Sequence, residues 1–182
     1  MRELSLHILD IAQNSIAASA SLISISIDEN PAVDLLTIVI SDNGSGIAPK
    51  HLNQITDPFY TSRKTREVGL GLALFSQAAR RSGGELKVNS TVGRGTEVTA
   101  TFRYSHIDRP PLGDLAGTLL GLIVLNPEID IVYHHQYKAK TFALDTRVIK
   151  KELGGVAVNH RAVVSWLKGF IYEGLDDLYG GE

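Results

Sequence analysis

Asp10 and Asn14 stand four residues apart in the run DIAQN, inside a stretch whose apolar residues recur at helical spacing. Four residues make about one helical turn, so both side chains leave one face. A carboxylate and a carboxamide presented together can hold Mg2+ through oxygen and orient a water against a phosphate. Alone, the pair also suits an exposed polar face. SDNGSG, Ser41 to Gly46, closes an apolar run. There Asp42 can accept from the amino group of a planar ligand while glycines let that ligand approach the backbone. The alternative is an Asn-Gly hairpin, but IAPKHLNQI beyond it reads as loop and helix rather than a second strand. In VGLGLAL, Gly69 and Gly71 open a helix whose bare N–H groups form an anion site. No Gly-Lys-Ser/Thr follows, which excludes a Walker A loop. A polar loop precedes it, which excludes a dinucleotide fingerprint. Arg63, Lys64 and Arg66 in TSRKTR can fold over phosphates or form a solvated basic loop. GRGTEV, with Thr96, is by itself a turn leading into a strand.

These residues need elements to hold them. Residues 3–18 place Leu6, Leu9, Ala12 and Ile16, with Ile8 and Ile11, at helical spacing. LISISIDE alternates as a half-buried strand, Asn30-Pro31 turns the chain, and DLLTIVIS is a second strand. KHLNQI is a short helix, DPFYTSRKTREVG a long loop, and LGLALFSQAARR a helix stopped by Gly83-Gly84. ELKVNST and TEVTATFRY form a hairpin through VGRG. Pro110-Pro111 and Gly113 mark a boundary, which divides the chain into residues 1–104 and an extension, 105–182. The extension holds a helix at Leu115 to Leu125, the strand-like runs IDIVYHHQY and KTFALDT, and a last helix. That helix is capped at Asn159, with Val163, Leu167, Phe170, Ile171, Leu175 and Leu178 in phase.

Composition narrows the function classes. The 182 residues are 43% hydrophobic and 21% charged, as in ordinary globular chains. A formal charge of −2 gives no bulk attraction to nucleic acid or membrane. With no cysteine there is no disulfide, thiolate metal site or Cys nucleophile, which fits a reducing cytosol. The N-terminus lacks a signal-peptide pattern and no apolar run approaches the roughly 20 residues of a membrane span. A soluble cytoplasmic protein is expected.

Taken in order, the helical carboxylate-x-x-x-Asn, strand-DNGxG, Phe-containing loop ending in GLGL, and GxGT resemble the GHKL superfamily. That superfamily includes DNA gyrase B, MutL, histidine kinases and anti-sigma-factor kinases. The resemblance covers residues 1 to about 104 and implies an α+β Bergerat sandwich, helices on one face of a mixed sheet, with a small α/β extension. It implies ATP and Mg2+ as ligands. Asn14 is similar to the metal-holding N-box Asn, and Asp42 to the Asp that bonds the adenine amino group, with Gly44 and Gly46 beside the base. Phe59 resembles the F-box aromatic. Arg63 falls where many kinases carry a lid Lys, with Lys64 next to it. Gly69, Leu70 and Gly71 match the second glycine box, and Thr96 the Thr of GxGT. Two positions depart: Glu67 stands at a common Gly, and Asp10 stands where hydrolysing members and anti-sigma kinases have Glu, the candidate catalytic base.

The extension does not resemble the transducer domain of gyrase-like members, and no phospho-accepting hairpin is expected ahead of the nucleotide domain. The expectation is a stand-alone kinase-like protein that transfers the γ-phosphoryl group to His, Ser or Thr of a partner protein. The alternative is a nucleotide-gated interaction module with slow or no turnover. Partners are a protein in trans, with a homodimer left open, and neither nucleic acid nor membrane. SHIDRPPL, Ser105 to Leu112, superficially resembles an H-box around His106, but Pro110 interrupts the helix such a His needs, so a linker is expected. No metal site beyond Mg2+ is expected at His134 and His135.

Overall fold

A computed structural model describes residues 3–55 and 70–180 of the chain. The order is α1 (Leu4–Ala17), β1 (Leu22–Asn30), a single 3-10 turn (Pro31–Val33), β2 (Leu35–Asp42), α2 (Pro49–Ile55), α3 (Leu70–Arg81), β3 (Leu86–Thr91) and β4 (Gly95–Arg103). Then follow α4 (Leu115–Leu125), β5 (Asp130–Tyr137), β6 (Lys140–Asp145), α5 (Thr146–Glu152) and α6 (Arg161–Tyr179). All six strands join one sheet in the order β3-β4-β2-β1-β5-β6. β1 and β5 run parallel and every other neighbouring pair antiparallel, which makes the sheet mixed and the fold α+β.

The period-2 pattern of the strands decides which face is covered. In β1 it buries Ile23, Ile25, Ile27 and Glu29, and in β2 Leu36, Ile38 and Ile40. β4 and β5 contribute Val98, Ala100, Phe102, Ile131, Tyr133 and His135 to the same core. Against it α1 lays Leu4, Ile8, Ile11 and Ala12, and α3 lays Leu72, Phe75 and Ala79. Leu6, expected in the α1 core stripe, is 41% exposed, because two overlapping helical stripes compete and only one can face the sheet.

Residues on either side of position 104 share this sheet, since β5 lies directly against β1. The linker between them carries no helix. Instead the carbonyls of Pro111 and Leu112 accept the N–H groups of Leu4 and Ser5 at 2.9 and 2.8 Å, first-turn donors that α1 cannot satisfy itself. His106 sits in a turn, its Nδ1 accepting from the Asp108 N–H.

Three differences from the sequence reading lie in the extension. The last helix is capped by His160 rather than Asn159, with His160 Nδ1 facing the Ala162 N–H at 3.4 Å. The short α5 was not expected; Asp145 caps it by accepting from the Arg147 N–H, and seven residues are too few to show a period. α6 packs its Val163, Leu167, Ile171, Leu175 and Leu178 stripe inward on its own chain. Phe170 instead is 37% exposed and stacks on Trp166.

Candidate functional site

The site grows from a helix, a strand end and a helix start. α1 presents His7 and Asp10 towards α3, with Asn14 one turn beyond Asp10, and the contact is close enough to dictate sequence. A Cβ built on Gly71 would stand 1.3 Å from Asp10 Oδ2, so only glycine lets the carboxylate lie on the first turn of α3. Asp10 Oδ2 and Asn14 Nδ2 are both buried and find no hydrogen-bond partner among the described residues. Orphaned buried polar groups of this kind cost free energy and are rare in finished cores.

β2 ends at Asp42, in register with Ile23 on one side and Thr96 on the other. Its carboxylate is held on three sides. Oδ2 accepts the Ser15 hydroxyl at 2.7 Å, and Oδ1 accepts the N–H groups of Gly44 at 2.9 Å and Thr96 at 3.3 Å. A carboxylate offers about four lone-pair positions, so one acceptor site is left for a ligand. The Thr96 hydroxyl pairs with Ser90 Oγ at 2.9 Å, and Ser90 also accepts the Ile47 N–H.

SDNGSG is not a hairpin turn. Asn43 Oδ1 accepts the N–H groups of Ser21 and Leu22, tying the loop to the start of β1. Its glycines have packing reasons of their own. A Cβ on Gly44 would meet the Ala18 carbonyl at 2.8 Å, and Gly46, with φ +69°, lies against the Thr91 carbonyl. Leu70 begins α3. Phe59, Arg63, Lys64 and Gly69 lie outside the described residues.

This geometry brings Asp10 against Gly71, with Asn14 one turn along α1, and fixes Asp42 against Thr96 through Ser15 and the strand register. Residues 2–106 match the sequence profile of the histidine kinase-, DNA gyrase B- and HSP90-like ATPases. The chain belongs to this GHKL family. Over 87 residues it is 36% identical to sensor histidine kinase WalK of Bacillus subtilis, covering 45% of this chain and 14% of that one. Over 79 residues it is 40% identical to sensor protein SrrB of Staphylococcus aureus, covering 41% of this chain and 13% of that one. The GHKL chain thus spans only a small part of these relatives' length. In fold it is similar to the Aquifex aeolicus MutL ATPase domain complexed with ADP, at 14% identity and TM-score 0.52, covering 85% of this chain and 70% of that one. It is also similar to the N-terminal domain of a DNA repair protein, at 18% identity and TM-score 0.54, covering 80% and 53%.

Three features of the GHKL site escape sequence reasoning. Ser15 holds Asp42 across 27 residues of chain, although its place beside Asn14 was a usable hint. Gly95, at φ +108°, lies under the Asp42 carbonyl, 1.9 Å from where a Cβ would stand. His7 is 2% exposed and stacks on Phe75 at 5.0 Å, yet neither ring nitrogen has a partner among the described residues. Burial, helped by the charge of the N-terminus, pushes its pKa down to about 4. It opens on a cleft lined by Gln77, Arg81, Asp108 and Pro110. No group of three His, Cys, Asp or Glu among the described residues could hold a metal ion.

Proposed function

We propose that this GHKL chain binds ATP with Mg2+ between α1, the end of β2 and the start of α3, and transfers the γ-phosphoryl group to a histidine, serine or threonine of a partner protein. The observation that carries this reading is a pair of buried atoms one turn apart on α1, Asp10 Oδ2, which lies against Gly71, and Asn14 Nδ2, neither of which has a hydrogen-bond partner among the described residues. Groups left unpaired inside a protein suit a ligand that completes them. The residues fit the implied ligands. Asn14 offers a carboxamide oxygen to Mg2+, which takes few protein ligands when phosphates supply the rest. The metal's contribution when bound is to neutralise phosphate charge. Asp42 keeps one acceptor position for the adenine amino group, with Gly44, Gly46 and Thr96 around the base. The N–H groups at Leu70 and Gly71 open α3, a helix N-terminus that suits anions, and Gly69 is assigned beside them from sequence alone. Arg63 and Lys64 close on the phosphates and Phe59 lines the loop, assignments that rest on sequence.

In this reading Asp10 takes the proton of an attacking hydroxyl, or orients a histidine or water nucleophile, while α1 keeps its distance from the phosphate constant. Relatives named as sensor kinases and a fold neighbour that holds ADP support it. The working compartment is the cytoplasm, which suits a cysteine-free chain. No helix among the described residues is long and apolar enough to cross a membrane. Asp10 is one methylene shorter than Glu, and this favours a second reading in which ATP closes the loop and switches partner affinity without fast turnover.

The test is phosphoryl transfer to proteins captured by the full chain in ATP-Mg2+. Asp10→Asn is expected to keep ATP binding and lower turnover by roughly 100-fold, the scale of a general base. Asp10→Glu is expected to preserve turnover, and His106→Ala to be silent. Equal turnover of Asp10→Asn and the unaltered chain, with the partner present, removes the base and leaves the switch.

A further inference from the structure

A cavity lies in the C-terminal half, away from the residues assigned to ATP. It has a volume of about 720 Å³, within the range of small-molecule sites. One wall is the linker around Arg109 and Asp114, another the end of α6 with Tyr172, Glu173, Asp176 and Tyr179. Its floor is Glu29 of β1 and His135 of β5. Ile23 of β1 pairs with Asp42, and Glu29 lies six residues further on, about 20 Å along the strand. The two sites sit at opposite ends of one strand.

The floor is a buried ionic network. Glu29 is 3% exposed and His135 fully buried. Glu29 Oε1 lies 2.9 Å from His135 Nε2 and also accepts the Tyr179 hydroxyl. His135 Nδ1 lies 2.9 Å from the Tyr133 hydroxyl. The imidazole thus bridges the Tyr133 hydroxyl and the Glu29 carboxylate, one ring nitrogen to each. Burial raises the Tyr133 and Tyr179 pKa values, and the Glu29 charge adds to it, so both phenols stay protonated. An apolar group in place of such a buried network often leaves a fold as stable or more so, so stability alone does not account for a carboxylate sunk in a cavity floor.

Charge defines what the cavity takes. Glu29, Asp114, Glu173 and Asp176 are four carboxylates against one guanidinium. That guanidinium, on Arg109, is already engaged: its Nε donates to the Tyr104 carbonyl at 2.6 Å and it lies 4.9 Å from the Tyr104 ring centroid. Tyr172 and Tyr179 add aromatic surface that attracts cations, and Leu112, Leu115 and Leu175 add apolar wall. Among the described residues no three metal-ligating groups converge, and the aromatic and apolar walls suit an organic cation. We infer that this cavity is a second ligand site, for a small organic cation with an ammonium or guanidinium head and a short apolar body. The head faces Glu29 and Asp176, and the body lies along Leu112 and Leu175.

Calorimetric titration of the full chain with agmatine and with spermidine tests the site, with glutarate as the anionic control. Saturable binding of at least one amine and none of glutarate is expected. Glu173→Gln with Asp176→Asn, exposed positions that the fold tolerates, is expected to weaken that binding roughly tenfold or more. Glu29→Gln adds a second readout where it folds. ATP affinity is expected to stay unchanged in these variants, which separates this site from the nucleotide reading. Absence of saturable amine binding overturns the site, as does equal binding of glutarate or unchanged affinity in the double variant. Binding of a lysine-rich peptide but of neither free amine also overturns it, in favour of a protein-docking surface.

Discussion

Asp42 shows how a single carboxylate can be fixed by its fold and still remain available. Three donors from three elements hold it, Ser15 of α1, Gly44 of the loop and Thr96 of β4. In Asp42→Asn, the carboxamide oxygen can keep the two N–H donors and the Ser15 hydroxyl can turn to accept. The fold should therefore survive. The amide loses the acceptor that an adenine amino group requires, so ATP affinity is expected to fall roughly tenfold to 100-fold while the melting temperature barely moves. Calorimetry with a thermal melt checks both. Gly71→Ala is the sharper test of the phosphate end. Alanine is the better helix former by about 1 kcal/mol, so propensity alone predicts a gain. The added methyl cannot share space with Asp10 Oδ2 at 1.3 Å, so the carboxylate must move. Turnover is expected to drop as far as in Asp10→Asn, and full activity in Gly71→Ala would show that the Asp10 position is not used.

Between α1 and α3, packing and titration meet at His7. The ring is buried against Phe75 and its pKa is lowered to about 4. The unfolded chain binds a proton near pH 6.5 and the folded one does not until about pH 4. Folding is thus opposed by protonation between these values. Above pH 6.5 the group is neutral in both states and contributes nothing. Stability is expected to fall with pH below 6.5, by up to about 1.4 kcal/mol per unit from this group. Urea unfolding of the unaltered chain and His7→Phe, compared between pH 7.5 and 4.5, reads the difference. The gap between the two proteins should shift in favour of His7→Phe at the acid end. Equal pH slopes would mean that His7 is solvated in the folded protein. The linker acts on the same helix, since Pro111 and Leu112 accept its first-turn N–H groups. That makes Pro111 and Leu112 a cap for α1.

Across the whole molecule, the sheet binds the extension to the nucleotide half. β5 covers the edge of β1, and Leu119, Leu122 and Ile123 of α4 lie in the same hydrophobic core as α1. Cutting the chain after residue 104 bares that edge and the apolar face beneath it, a template for aggregation. The fragment 1–104 is expected to be aggregation-prone, or to melt well below the full chain without a cooperative transition. Circular dichroism and light scattering decide it. A soluble, cooperatively folding fragment would show that residues 1–104 form a self-sufficient unit. The Glu29–His135 pair spans the same junction, and its partners are 106 residues apart in the chain.

Local order was legible because it is written at short range. DIAQN, DNGSG, GLGL and GRGT each carry their chemistry within a few residues. Periods of 2 and 3.6 expose strands and helices long enough to repeat them, though not the seven-residue α5, and the mixed α+β class followed from the family resemblance. What lay beyond reach depends on partners distant in sequence. Ser15 on Asp42, Asp10 on Gly71 and His135 on Glu29 become neighbours only when the sheet closes and α1 settles against α3. A serine or a histidine in an alternating run has the same pattern whether it faces water or a buried carboxylate. Only the three-dimensional order of the strands, with β5 placed against β1 rather than in a separate layer, brings the second set of charges into one cavity. Pairing over such distances is selected by packing of whole faces, which no window of sequence contains.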